Sequence, residues 1–165
     1  MASFSVANTL ALRNFYNSNR TLAVKSNRSD ASTNKLNYAD SLALRRAVRQ
    51  LDAYDFDNAK ESDLEEQVRA WIDTYNYTME SCKSSTNTSV TSAYQGLKNL
   101  TKEYADELEN VGIKADSSGY LKMSSSATKN ISGPRFKSLL GKDSEFMKKM
   151  GSYARRISNH VDLYA

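Results

Sequence analysis

The sequence predicts a mainly α protein: an antiparallel helical hairpin or bundle with coiled-coil character and one small β-hairpin. Three observations carry this reading. Breakers are scarce, with one Pro and six Gly in 165 residues, and helix-forming polar residues are common. Apolar residues recur at three- and four-residue steps over long stretches. One short stretch alternates apolar and polar residues on either side of a turn, which is the strand period.

The N-terminal 36 residues are read as a partly flexible segment preceding a single helical domain over 37–165. Phe4, Val6, Leu10, Leu12, Phe15 and Tyr16 are apolar anchors for a short helix near 7–18. The run Ser26 to Asn34 is polar and reads as a mobile loop. From about Asn37, Leu44, Ala47, Val48, Leu51 and Tyr54 mark a helix, and Asp52 to Lys60 is a connection.

Ser62-Asp63-Leu64-Glu65 has the pattern of a capping box, in which the Ser hydroxyl and the Glu carboxylate each satisfy a free N–H. The stripe that follows is Leu64, Val68, Trp71, Ile72, Tyr75, Met79 and Cys82. A polar turn at 83–88 leads to a third helix with Val90, Ala93, Leu97, Leu100, Tyr104, Leu108 and Val111 on one face, a spacing near that of a coiled-coil seam. Gly112 stands where a helix ends in a left-handed residue. The short turn makes the two helices an antiparallel hairpin.

Ile113 to Met123, with Gly119 in the turn, is the β-hairpin, and two strands alone must lean on the helices. Ser124 to Gly133 is polar, with room for a short helix, and Ser132-Gly133-Pro134 interrupts the chain. Phe136, Leu139 and Leu140 end at Gly141. Asp143 or Ser144 caps a last helix bearing Phe146, Met150, Tyr153, Ala154, Ile157, Val161 and Tyr164. The expected core is Leu64, Val68, Trp71, Ile72, Tyr75, Leu97, Leu100, Tyr104, Leu108, Ile113, Leu121, Phe146 and Ile157.

Chemistry-bearing motifs are sparse. Cys82 is the single cysteine, so no disulfide framework is available, and its place on an apolar face makes it a structural thiol. His160 is the single histidine. Asp52, Asp55 and Asp57 lack the Gly and terminal Glu of a calcium loop and read as a solvated turn. Trp71 and Tyr75 sit at helical spacing, which assigns them to the core rather than to base stacking. No catalytic, cofactor-binding or metal-ligating residue is singled out, no cofactor is expected, and the chain reads as non-enzymatic.

No segment approaches the roughly 20 apolar residues of a membrane helix. The N-terminus lacks the basic start and apolar run of a secretory signal, which leaves the cytoplasm or export without a cleaved signal. The formal net charge is +4, but residues 1–50 carry +6, residues 51–110 carry −8 and residues 111–165 carry +6. Basic ends around an acidic middle leave nucleic-acid binding as the alternative to a protein-interaction role. Arg45-Arg46 and Arg155-Arg156 fall within amphipathic helices, where solvated faces are the plainer reading.

An ordered set of motifs resembles the C-terminal helical core of the flagellar filament cap (hook-associated protein 2) family over about residues 60–165. The helix segment Val68-Arg69-Ala70-Trp71-Ile72-Asp73-Thr74-Tyr75-Asn76 matches the family's hydrophobic stretch ending in Tyr-Asn. Leu108-Glu109-Asn110-Val111-Gly112-Ile113 and Asp116-Ser117-Ser118-Gly119-Tyr120-Leu121 match its helix end and the following turn. Arg135 to Leu140 and a terminal helix complete the order. The family's large β-rich outer domains have no counterpart here, and residues 1–55 have no clear match. The resemblance implies a structural helical module, exported by the flagellar route, whose helical faces meet another copy or flagellin-like proteins.

Overall fold

A computed structural model describes residues 9–125 and 131–161. Helix α1 (Thr9–Tyr16) runs into two 3-10 segments, Asn17–Ala23 and Lys25–Asn27. Then come α2 (Thr33–Asp52), α3 (Glu61–Cys82), α4 (Thr88–Glu103), α5 (Ala105–Asn110), β1 (Ile113–Ala115), β2 (Leu121–Met123), α6 (Gly133–Leu140) and α7 (Glu145–His160). The fold is therefore mainly α with one small antiparallel hairpin, as the sequence predicts. Residues 1–8, much of the polar stretch after Ser124, and Tyr164 lie outside the described residues.

Local chemistry sets most helix starts. Ser32, Asn87 and Ser144 have extended backbones and accept from the N–H three residues on: Lys35 at 3.2 Å, Val90 at 3.1 Å and Met147 at 3.2 Å. The capping box at Ser62 does not form. Helix α3 begins two residues earlier than that box requires, at Glu61, with Lys60 in the cap position and no side-chain cap. Its start is fixed from the preceding turn instead. There Phe56 is buried and Asp55 Oδ1 accepts from the Asn58 N–H at 3.3 Å.

Helix α3 is the centre of the molecule. Every residue from Ala70 to Met79 is buried, so this stretch needs partners on all sides. Its polar residues are suited to that position. Thr74 and Thr78 donate to the carbonyls of Trp71 and Thr74, each at 2.7 Å, and so carry their hydroxyls inward satisfied. The most extensive helix contacts are α2 with α3, α2 with α7, and α4 with α7. Helices α3 and α4, expected to pair as a hairpin, meet more narrowly, because α2 and α7 take the larger share of their faces. Trp71 is buried against α7, its indole N–H 3.3 Å from the Met150 sulfur and its ring edge-on to Phe146.

The helix expected to run unbroken to Val111 bends at Tyr104, whose φ and ψ are −100° and 21°. Hydrogen bonding continues through the bend: Tyr104 N–H donates to Leu100 and Leu108 N–H to Tyr104, at 3.1 and 2.9 Å. The Tyr104 ring lies against Phe146, with centroids 5.0 Å apart. Tyr104 is accordingly half-buried, and it is the one expected core position that is not fully buried. The bend aims α5 into the hairpin, whose register pairs Ile113 with Met123 and Ala115 with Leu121.

Residues 9–36, set apart in the sequence reading, lie against α2 and α3. Leu12, Phe15, Tyr16 and Leu22 are buried in the same apolar core as the rest. The stretch Ser26 to Asn34, read as loop, holds a 3-10 turn, the buried Arg28 and the first residues of α2. Ser132-Gly133-Pro134 is likewise a helix start, with Pro134 in the first turn where a missing N–H costs nothing. A side chain at Gly133 would strike the Phe56 carbonyl oxygen, so only glycine fits this approach. Tyr54, expected on α2, follows its end and packs edge-on to Phe56.

Candidate functional site

The Tyr75-Asn76 pair and the Gly112 to Leu121 turn meet in one joint. Asn76 is buried on α3, and its carboxamide pairs with the backbone of Leu121 through both ends. Its Nδ2 donates to the Leu121 carbonyl at 2.8 Å, and its Oδ1 accepts from the Leu121 N–H at 2.9 Å. The side chain thus does for β2 what a third strand would do. The Tyr75 hydroxyl donates to the Gly119 carbonyl at 2.8 Å.

The turn itself is locally specified. Asp116 Oδ1 accepts from Ser118 N–H at 2.8 Å and Tyr120 N–H at 3.0 Å. Gly112 and Gly119 have φ of 83° and 89°, the left-handed region that favours glycine. Tyr120 donates to the Glu80 carboxylate, which ties the hairpin to α3 one turn beyond Asn76. A marginal two-stranded ribbon is therefore held by side chains from the most enclosed helix in the molecule.

A second polar cluster lies under the N-terminal segment. Arg28 donates twice to Asp40, Nη1 to Oδ1 at 2.8 Å and Nη2 to Oδ2 at 2.7 Å. Arg28 Nη1 also donates to the Leu22 carbonyl at 2.9 Å, and Tyr16 donates to Asp40 Oδ1 at 2.6 Å. The guanidinium stacks over the Tyr77 ring at 3.8 Å. Asp40 is 0% exposed, so the pair depends on these extra hydrogen bonds to offset desolvation. This cluster was missed in the sequence, although one signal was present. Asp40 occupies the same helical stripe as Ala43, Leu44, Ala47 and Leu51, all of them buried.

One turn before Asp40, Asn37 is also 0% exposed, and neither of its amide atoms has a hydrogen-bond partner. An unpaired buried amide costs about 1–3 kcal/mol. Asn37→Leu is expected to raise the unfolding free energy by about 1 kcal/mol or more, read from urea unfolding.

The remaining candidates resolve as structural or solvated. Cys82 is buried, and burial pushes its thiol up to about 12. Burial likewise pushes the Tyr77 hydroxyl up to about 12, with the Arg28 charge acting against it. Both groups hold their protons in the folded state beyond the pH at which the unfolded chain releases them. Stability is then full below the ordinary thiol and phenol values and falls as pH rises toward 12. Denaturant midpoints are expected to hold steady to about pH 8 and drop above it.

His160 is exposed on α7, its ring Nδ1 2.8 Å from the Arg156 carbonyl oxygen. Asp57 pairs with Lys137 at 2.7 Å, joining the α2–α3 connection to α6 at the surface. Among the described residues no three His, Cys, Asp or Glu side chains gather as metal ligands. None of the described helices is long and apolar enough to cross a membrane. Comparison with known proteins gives no match to a protein-family model, a curated protein or a solved structure.

Proposed function

We propose that the chain is a non-enzymatic structural or protein-interaction module, built like the flagellar cap helical core and acting by helix–helix association. The observation that carries this reading is the joint. Tyr75-Asn76 and the hairpin from Gly112 to Leu121 resemble separate motifs of the cap family, and three buried hydrogen bonds join them. Residues spaced so far apart serve one joint, which favours a common architectural origin over chance matches.

The partner faces are polar and tyrosine-bearing. Among the described residues Leu10 is the exposed large apolar side chain. Tyr94, Tyr120 and Tyr153 are half-buried at the surface, and tyrosine in that setting offers apolar contact with a polar edge. The partners are another copy of the chain or flagellin-like helices. Light scattering coupled to size exclusion over a concentration series, with retention of purified flagellin-type protein, tests the reading. Self-association or retention of that protein is the expected result. A strict monomer that retains no flagellar component rejects it.

A further inference from the structure

Helices α2 and α7 pack antiparallel. Arg45 reaches across to the Ser158 hydroxyl at 3.1 Å, and Val48 lies against Gly151. Arg49 stands one turn along α2 from Arg45, and Arg155 stands one turn before Ser158 on α7. The three guanidinium groups form a ridge along this groove. Arg49 and Arg155 are exposed and Arg45 is half-buried. None of the three is in an ion pair among the described residues. Arg45 is drawn below its ordinary value by burial first and then by Arg49, Arg155 and Arg46, with the Tyr38 hydroxyl acting against them. The nearby carboxylates are otherwise placed. Glu145 takes Lys148, and Asp52, one turn past Arg49, forms no ion pair. Glu66 lies on the α1 side, where it accepts from the Ala11 N–H at 3.3 Å. Arg46 turns to that side as well, donating to the Phe15 carbonyl, and is not part of the ridge.

The opposite charge gathers where α2 passes into α3. Residues 52–63 carry Asp52, Asp55, Asp57, Glu61 and Asp63 against Lys60 alone, a net −4. Lys137 takes Asp57, and Asp55 is engaged by Asn58. Glu61 and Asp63 are exposed and form no ion pair among the described residues. Beside them is the half-buried Tyr54, edge-on to Phe56. Its hydroxyl is pushed up by burial first and then by Asp63 and Asp55, so both carboxylates act on it. A tyrosine flanked by carboxylates suits guanidinium groups, which stack on the ring and pair with the acids.

The ridge and the turn do not neutralise each other within one molecule. Arg45 lies seven residues before the end of α2, roughly 10 Å along its axis, and the turn lies beyond that end. Screening at physiological salt acts over about 8 Å. Arg49 is nearer, yet no ion pair crosses between the two surfaces among the described residues. Each surface is therefore free to meet its complement on another molecule.

We propose that the Arg45–Arg49–Arg155 ridge docks the α2–α3 turn of a second copy of the chain, with Glu61 and Asp63 meeting the guanidinium groups and Tyr54 beneath one of them. The proposal rests on the helix-association reading. It selects a second copy as the partner and assigns the two faces that meet. Charges at such a contact steer encounter and fix orientation, so association depends strongly on salt.

The test is sedimentation velocity of the full chain over a concentration series. Potassium chloride at about 50 mM is compared with about 500 mM, which shortens the screening distance severalfold. The wild type is expected to associate at the lower salt, and at least about tenfold more weakly at the higher. Arg49→Glu with Arg155→Glu is expected to stay monomeric where the wild type associates. Glu61→Lys with Asp63→Lys is expected to do the same. An equimolar mixture of the two is expected to associate again, since each supplies the face that the other has lost. All four positions are exposed, and circular dichroism checks that the variants fold. Where a reversal does not fold, Arg49→Gln with Arg155→Gln takes its place, and unchanged association in it overturns the proposal.

Association that ignores salt and both variants overturns the proposal and leaves helix association standing. Monomeric variants that do not recover on mixing also overturn it. A strict monomer at both salts does so too, and retention of flagellin-type protein then decides whether the helix-association reading falls with it. Duplex DNA that binds the ridge while the chain stays monomeric overturns it in favour of a polyanion.

Discussion

Arg28→Met is expected to remove about 3–5 kcal/mol of folding stability, measured by urea unfolding. The side chains are similar in reach, so the loss is mainly electrostatic. Asp40 is left fully buried with only the Tyr16 hydroxyl to offset its charge. The Leu22 carbonyl loses its donor, and the Tyr77 ring loses the cation stacked upon it. Domains of this size are stable by only about 5–15 kcal/mol in total, so the variant approaches its folding limit. The double change Arg28→Met with Asp40→Leu is expected to recover most of the loss, because removing both charges removes the desolvation cost with them. A single-variant loss under about 1 kcal/mol would show that the pair is solvated and does not hold the N-terminal segment in place.

Asn76→Ala is expected to cost about 2–5 kcal/mol, since the Leu121 N–H and carbonyl both lose their partner in a buried setting. The signature is local as well as global. The Leu121 amide resonance should move to an unstructured position while α2 and α7 resonances stay put. Asn76→Asp separates the two bonds, because a carboxylate can still accept from the Leu121 N–H but cannot donate to its carbonyl. It is expected to be no better than alanine, having added a buried charge. An Asn76→Ala variant with an unchanged Leu121 resonance would show that the hairpin stands without the clamp.

What could be read in the sequence follows from the range of the interaction. The stripe from Leu64 to Cys82, the Val90 to Val111 face and the Gly112 and Gly119 turns are set by neighbours a few residues away, and their burial follows the spacing at all but Tyr104. The caps divide on the same principle. Ser144 caps α7 through its own hydroxyl, as its local pattern predicts, whereas α3 starts ahead of Ser62, just after a turn that holds the buried Phe56 and the Asp55–Asn58 hydrogen bond. The bend at Tyr104 depends on Phe146 from another helix and leaves no local mark. The place of Asp40 on a buried stripe could be read, but its partners could not, because they come from α1, a 3-10 segment and α3 as well as from Arg28. In the Asn76 clamp the motif residues were visible. The bond between them was not, since an Asn beside a buried Tyr has many possible partners.

The enclosure of α3 from Ala70 to Met79 on every side bears on how the molecule opens. A helix with one solvent face can release its amides by fraying or by lifting away from a single neighbour. This one is released only when α1, α2, α4, α7 and the hairpin have largely withdrawn, which is close to global unfolding. Its amide protons are therefore the slowest to exchange with solvent, and their rates report the stability of the whole molecule. The N-terminal segment and the hairpin can open as smaller units around that centre.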